Sequence, residues 1–271
     1  MSSTSRIITL TTDFGSRDYY VSAMKAVILG ISPNVRLVDI SHDIPPQDVM
    51  AAAWILKNTA FLYPPGTVHL AVVDPGVGSM RKPLLVKIRD QFFVGPDNGL
   101  FSLVMEDETS EVIELDNRSY WRDAISATFH GRDIFAPVAA WLCEQDPEEG
   151  IGKFGTELTE LTRYKWAKPI SDEEGIQGWI VHIDRYGNLI TNIPDTLIKE
   201  KNIRSNVKIY AGNTILKKIS RSYTDVPDGE AIALIGSSGM LEIAINKGSA
   251  EQMLGIEKGA PVSLVVQKNV S

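Results

Sequence analysis

The sequence predicts an α/β protein of two domains: an N-terminal α/β sandwich-like domain with a mainly parallel sheet, then a smaller all-β domain. Three observations carry this. Strand and helix patterns alternate from Arg6 to Val73, which is the signature of a parallel sheet covered by helices. Between Glu144 and Glu174, acidic residues with Gly150, Gly152, Gly155 and Pro169 interrupt any long periodic element. Beyond that stretch, short apolar runs recur between Gly, Asn and Asp, as in a small β domain.

Taken in order, Arg6–Thr12 reads as a buried strand, and Asp18–Ile31 as a helix with Tyr20, Met24, Val27, Ile28 and Ile31 on one face. Val35–Ile40 is a strand. Gln47–Tyr63 is a helix aligning Val49, Ala52, Ala53, Leu56 and Ala60, and Thr67–Val73 is a third strand. Strands at Leu84–Ile88 and Gln91–Val94, a short helix near Leu100–Met105, a strand at Glu111–Leu115 and a helix at Asp133–Cys143 complete this half. The second half reads as strands at Trp179–Asp184, Leu189–Ile193, Asn206–Tyr210, Thr214–Ile219, Glu230–Ile235, Leu241–Ile245 and Pro261–Val266. The expected boundaries are 1–150 for an N-terminal catalytic domain, 151–174 for a linker and 175–271 for the C-terminal domain.

Composition narrows the function. With 44% hydrophobic residues among 271, the chain can bury a large core. A net charge of −7 argues against coating nucleic acid or an anionic membrane, and favours a small ligand. The single cysteine, Cys143, sits in an apolar run and reads as packing. The polar start Met1–Arg6 lacks a signal-peptide pattern and no apolar run approaches a membrane span, so the expected compartment is the cytoplasm and the sequons at Asn117 and Asn269 carry little weight.

Several familiar strings fail for want of context. Asp13-Phe14-Gly15 spells the kinase metal-binding triplet with no nucleotide lobe before it, and Ser22-Ala23-Met24-Lys25 lacks the other motifs of penicillin-binding enzymes. Gly76-Val77-Gly78 lacks the third glycine of a dinucleotide fingerprint. The histidines His42, His69, His130 and His182 lack zinc-site spacing. What remains are polar loops just after predicted strand ends, where an α/β sheet places its ligands: Asp13, then Asp74–Ser79, then Pro96–Gly99, then Phe129–Asp133.

Six ordered strings carry a resemblance. These are Leu10-Thr-Thr-Asp-Phe-Gly15, Val73-Asp-Pro-Gly-Val-Gly-Ser79 with Arg81, Gly95-Pro-Asp-Asn-Gly99, Thr128-Phe-His-Gly-Arg-Asp133, Ile183-Asp-Arg-Tyr-Gly-Asn188 and Gly236-Ser-Ser-Gly-Met-Leu-Glu-Ile-Ala-Ile-Asn246. Together they resemble the adenosine-forming S-adenosylmethionine hydrolases, relatives of the fluorinating and chlorinating enzymes. The resemblance implies a C-terminal β-barrel and a homotrimer with sites between the N-terminal domain of one subunit and the C-terminal domain of its neighbour. It also implies S-adenosylmethionine as substrate, adenosine and L-methionine as products, and no further cofactor. Asp74, Arg81 and His130 fall on the family's catalytic set, and Asp13 on the carboxylate holding the ribose hydroxyls. Asn98, Phe129 and Tyr186 join the substrate-binding positions. Asp184 and Ser237 match positions that grip the methionine part, Asn188 and Asn246 those framing adenine, and Tyr223 an aromatic stacking on the base.

The chain departs from the halogenating branch. Gly131 stands where those enzymes place a small Ser, His130 where they carry an aromatic, and Asp74 where they have an aromatic before Pro. A halide beside Asp74 would meet like charge, which at about 4 Å costs several kcal/mol once partly desolvated. Water suits such a pocket better. The sulfonium leaves as a neutral thioether and needs no acid, so the demand falls on the nucleophile. Arg81 can orient the water but cannot be its base, leaving Asp74 or His130 to take the proton. A halogenase and a non-catalytic adenosine or S-adenosylmethionine sensor are the rival readings.

Overall fold

A computed structural model describes residues 6–144, 149–164, 167–203 and 207–267. Asn206 and Asn269 therefore lie outside the described residues. The chain divides into two compact units, Met1–Lys165 and Trp166–Ser271.

The first unit runs β1 (Ile7–Thr12), α1 (Tyr20–Ile31), β2 (Arg36–Ser41), α2 (Val49–Thr59), β3 (Val68–Val72), β4 (Pro83–Ile88), β5 (Gln91–Pro96), β6 (Ser110–Glu114), α3 (Ala136–Glu144) and β7 (Thr156–Glu157). Its seven strands form one sheet in the order β2-β1-β3-β5-β4-β6-β7. The β2, β1, β3 and β5 pairings are parallel, as the alternation of strand and helix requires. The β4, β6 and β7 pairings are antiparallel, because β4 returns directly into β5 through Arg89 and Asp90 with Arg89 at φ 52°. The sheet is thus mixed.

Both faces of the sheet are covered, and the strands show it residue by residue. In β3, Val68, Leu70 and Val72 pack with Met24 and Ile28 of α1 and Ala139 of α3. Ala71 and Val73, pointing the other way, pack with Ala52 and Leu56 of α2. The second helix starts later than expected, since Gln47 has φ 67° and cannot be helical, while Asp48 caps the helix by accepting from Ala51 N at 2.9 Å. The expected helix at Leu100–Met105 is absent. That run is buried except at the half-buried Ser102, so it has no broad polar face to make it amphipathic, and Tyr164 N donates to Ser102 Oγ at 2.9 Å to pin it as turns.

On the α2 side of the sheet lies a buried polar chain. His69 Nδ1 meets Thr9 Oγ1 at 2.8 Å, His69 Nε2 meets Gln91 Oε1 at 2.8 Å, and Gln91 Nε2 donates to Tyr63 O at 2.8 Å. Burial is the main reason the imidazole is lowered from 6.5 to about 4. The fold holds His69 neutral while the unfolded chain protonates it near 6.5. Its contribution is therefore complete above that pH, is lost as pH falls toward about 4, and then levels off. The expected loss is on the order of 3 kcal/mol. Hydrogen exchange of the β1 and β3 amides between these pH values should reveal it, and His69→Gln should flatten the dependence.

The second unit runs β8 (Ile170–Ser171), β9 (Gly175–Ile183), β10 (Leu189–Pro194), α4 (Asp195–Glu200), β11 (Val207–Ala211), β12 (Thr214–Leu216), β13 (Ala231–Ile235), β14 (Met240–Ile245), α5 (Ala250–Leu254) and β15 (Pro261–Val266). Its strands lie in the order β12-β11-β15-β9-β10-β14-β13, with β8 on β9. A bridge between Ser220 and Leu234 brings the two ends together, so the sheet is a nearly closed barrel. Its interior holds Ile176, Ile180, Leu189, Ile209, Leu241, Ile243 and Leu264. The helices α4 and α5 are additions to the all-β reading. α5 carried a legible signal, since Ser249 Oγ accepts from Gln252 N at 3.2 Å and Gly255 closes the helix at φ 63°. Among the described residues, no helix is long and apolar enough to cross a membrane.

Candidate active site

The loops after β1 and β3 and the segment before α3 meet at one cavity of about 380 Å³ in the first unit, lined by Asp13, Phe14, Tyr20, Gln47, Asp74, Phe129 and His130 among others. Asp74 lies two residues past Val72, at the carboxyl end of the parallel strand β3. The tight loop that returns to Arg81 is possible because Gly78 sits at φ 78°, where a Cβ would lie 2.5 Å from Ala127 O. Gly78 thereby lets the Asp74 loop press against the segment carrying Phe129 and His130.

Arg81 Nε lies 3.0 Å from both Asp74 oxygens and its Nη2 also donates to Asp74 Oδ2. Both side chains are buried, 5% exposed for Asp74 and 9% for Arg81. The same Nη2 lies 2.9 Å from His130 Nδ1. A guanidinium only donates, so His130 Nδ1 is the acceptor and the neutral ring carries its hydrogen on Nε2. Burial and then the Arg81 charge lower the pKa of His130, against weaker opposite pulls from Asp74 and Asp133. The arrangement holds a neutral imidazole with one N–H to offer.

His130 opens a π-helical turn, Gly131–Phe135, that runs into α3. Asp133 in that turn is an anchor that the sequence reading passed over, although it ends the string Thr128–Asp133. Its buried carboxylate accepts from Arg122 Nη1 and Arg132 Nε at 2.7 Å, Ser126 N at 2.8 Å and Arg132 Nη2 at 2.9 Å. Burial alone would raise its pKa, but these donors outweigh it and hold the group at about 2. Phe14, Tyr20 and Phe129 form an aromatic wall, with Phe129 edge-on to both others at 5.9 and 5.1 Å. Asp13 Oδ2 accepts from Gln47 N at 2.8 Å, which fixes the carboxylate and accounts for the unusual backbone of Gln47.

Asn98 does not line this cavity. Its Nδ2 donates to Val73 O at 2.8 Å, steadying the strand end just before Asp74. Five of the other expected residues line a cavity of about 570 Å³ in the second unit: Asp184, Tyr186, Asn188, Tyr223 and Asn246. Asp184 Oδ1 accepts from Tyr186 N and Asn188 N at 2.9 Å, and Oδ2 accepts from Asn188 Nδ2 at 2.9 Å. Asn246 Nδ2 donates to Val226 O at 2.8 Å. Ser237 is exposed in the turn between β13 and β14, outside that lining.

Comparison with known proteins gives the family. The family model for the SAM hydroxide adenosyltransferase N-terminal domain matches residues 8–152, and that for its C-terminal domain matches residues 178–263. The chain belongs to the SAM hydroxide adenosyltransferase family. Within it, the chain is 38% identical to the (R)-S-adenosyl-L-methionine hydrolase of Thermus thermophilus, over 96% of this chain and 100% of that protein. An uncharacterized conserved protein of Thermotoga maritima has a crystal structure similar to this one, with a TM-score of 0.88 and 36% identity over 95% of this chain and 99% of that one. A fluorinase of Nocardia brasiliensis is a more distant relative at 25% identity, over 96% of this chain and 97% of its own. The division of the SAM hydroxide adenosyltransferase family into N- and C-terminal domains corresponds to the α/β unit and the barrel unit described above.

Proposed function

We propose that this chain hydrolyses S-adenosyl-L-methionine by in-line attack of water on the ribose C5′, giving adenosine and L-methionine. The oxygen–C5′ bond forms as the C5′–sulfur bond breaks, and sulfur leaves with the bonding pair as a neutral thioether. The observation that carries the reading is the Asp74–Arg81–His130 network on the cavity wall. His130 Nδ1 is engaged by Arg81 and Nε2 holds a hydrogen, so His130 donates to the water oxygen rather than taking its proton. Asp74 is the group left to accept it. Arg81 orients both partners, and Asp13 takes the ribose hydroxyls, as a carboxylate facing a cis diol does.

Asp74 and Arg81 form a neutral pair, which leaves no net positive charge to bind a halide, and this favours water over fluoride or chloride as nucleophile. The hydrolase relatives are named for (R)-S-adenosyl-L-methionine, and we assign the same substrate here. The reaction uses no cofactor and runs in the cytoplasm in a homotrimer, with Asp184, Tyr186, Asn188, Tyr223, Ser237 and Asn246 gripping the rest of the substrate. The test is incubation of the purified protein with S-adenosylmethionine in water labelled with heavy oxygen. Adenosine bearing the label on its 5′ oxygen is expected, with mass by light scattering reporting the trimer. An unconsumed substrate, or a 5′-halogenated product when chloride is present, would overturn the reading.

A further inference from the structure

Glu242 lies on β14 between Ile190 of β10 and Leu234 of β13. Its neighbours Leu241 and Ile243 point into the barrel core, so Glu242 faces outward, on the side of Ile232, Leu234 and Ala244. An outward carboxylate on a strand is ordinarily solvated, yet Glu242 is only 6% exposed. Tyr223 covers it and donates its hydroxyl to Glu242 Oε1 at 2.6 Å. The other oxygen lies against Gly236, where a Cβ would sit 2.4 Å from it, so the turn bearing Ser237 closes only over a glycine. Packing alone would favour an apolar residue here, as its neighbours are, because a buried carboxylate costs several kcal/mol that a hydrophobe of similar volume does not.

Glu242 thus adjoins two elements of the second cavity, the Tyr223 wall and, through its charge, Asp184, and it packs against the Ser237 turn outside that lining. The cation in that lining, Lys247, is already paired with Asp228 at 2.9 Å. We propose that Glu242 is a positioning and specificity residue of this cavity, holding Tyr223 in place and supplying a second negative charge beside Asp184. Through that charge the cavity favours a ligand carrying a cationic group over the neutral nucleoside. This rests on the function proposed above, in which the substrate is a cation and the adenosine product is neutral.

Burial raises the pKa of Glu242, the Tyr223 hydrogen bond opposes this, and the Asp184 charge adds to it. Tyr223 and Asp184 are the titratable groups acting on it, its strand neighbours Ile190 and Leu234 being apolar. Preference for a cation is therefore present while Glu242 is ionised and is lost as pH falls through its raised pKa.

The test measures binding of adenosine and of sinefungin, an amine-bearing analogue that cannot be cleaved, by calorimetry on the full chain from about pH 8 to about pH 5. Glu242→Gln, which keeps the acceptor for Tyr223 but not the charge, should weaken sinefungin about tenfold at the higher pH and leave adenosine within about twofold. It should also abolish the acid-side loss of sinefungin affinity. Tyr223→Phe removes the donor that favours the ionised form, so it should move that loss to higher pH. It also serves should Glu242→Gln fail to fold. Equal loss of both ligands in Glu242→Gln, or an unmoved pH profile in Tyr223→Phe, overturns the inference while leaving the hydrolase reading intact. A wild-type protein that binds neither ligand overturns both.

Discussion

Arg81→Ala is expected to lower kcat by about 10³, near 4 kcal/mol of transition-state stabilisation, while adenosine affinity changes only a few-fold. The variant removes the donors that hold both Asp74 and His130. Asp74 is then a buried carboxylate without its counter-ion, free to leave the position in which the proposed reaction uses it. His130 loses both the bond that fixes its tautomer and the cationic neighbour that helps lower its pKa. The acid limb of the rate profile should consequently move to higher pH. Arg81→Lys should recover little, because an ammonium cannot span Asp74 and His130 with a planar fork. Single-turnover assays with adenosine titrations as the folding control decide the matter, and a wild-type kcat in Arg81→Ala would remove the network from the chemistry.

Asp13→Ala is expected to act on binding as well as turnover, weakening adenosine about 10²-fold. In the proposed binding mode, two charge-assisted hydrogen bonds to the ribose would disappear and the diol would be left without partners. The loop also loses the acceptor for Gln47 N. Asp13→Asn keeps a carbonyl for that amide but not the charge, so it should fall between the two. The decisive comparison uses 2′-deoxyadenosine. The wild type should discriminate against it and Asp13→Ala should not, whereas equal discrimination in both proteins would place the ribose elsewhere.

Much of this was legible in the sequence. The strand and helix periodicities located β1 to β3 with α1 and α2, because those elements alternate and each buries a face that repeats at its own period. The polar strings after the strand ends named Asp13, Asp74 and His130, which the fold brings to one cavity. Asn98 shows the limit. It stands in one of those strings, yet its amide is spent on Val73 O and it serves the loop rather than the cavity. Glu242 shows it from the other side, since a Glu between Leu241 and Ile243 reads as the solvent side of a strand. Its burial depends on a turn nineteen residues away in the chain.

Local patterns were enough to give the two-unit α/β and β organisation, the acidic and apolar balance, and the polar residue types that follow the strand ends. These follow from interactions among residues a few positions apart, where periodicity, caps and turn chemistry act. The tertiary structure decided which groups face one another. It set the antiparallel half of the sheet and the clamp on Asp133, and it turned His130 Nδ1 toward an arginine 49 positions earlier in the chain. That last contact fixes which ring nitrogen of His130 carries the hydrogen. It exists because two loops from different elements are pressed together at Gly78, which no local pattern encodes.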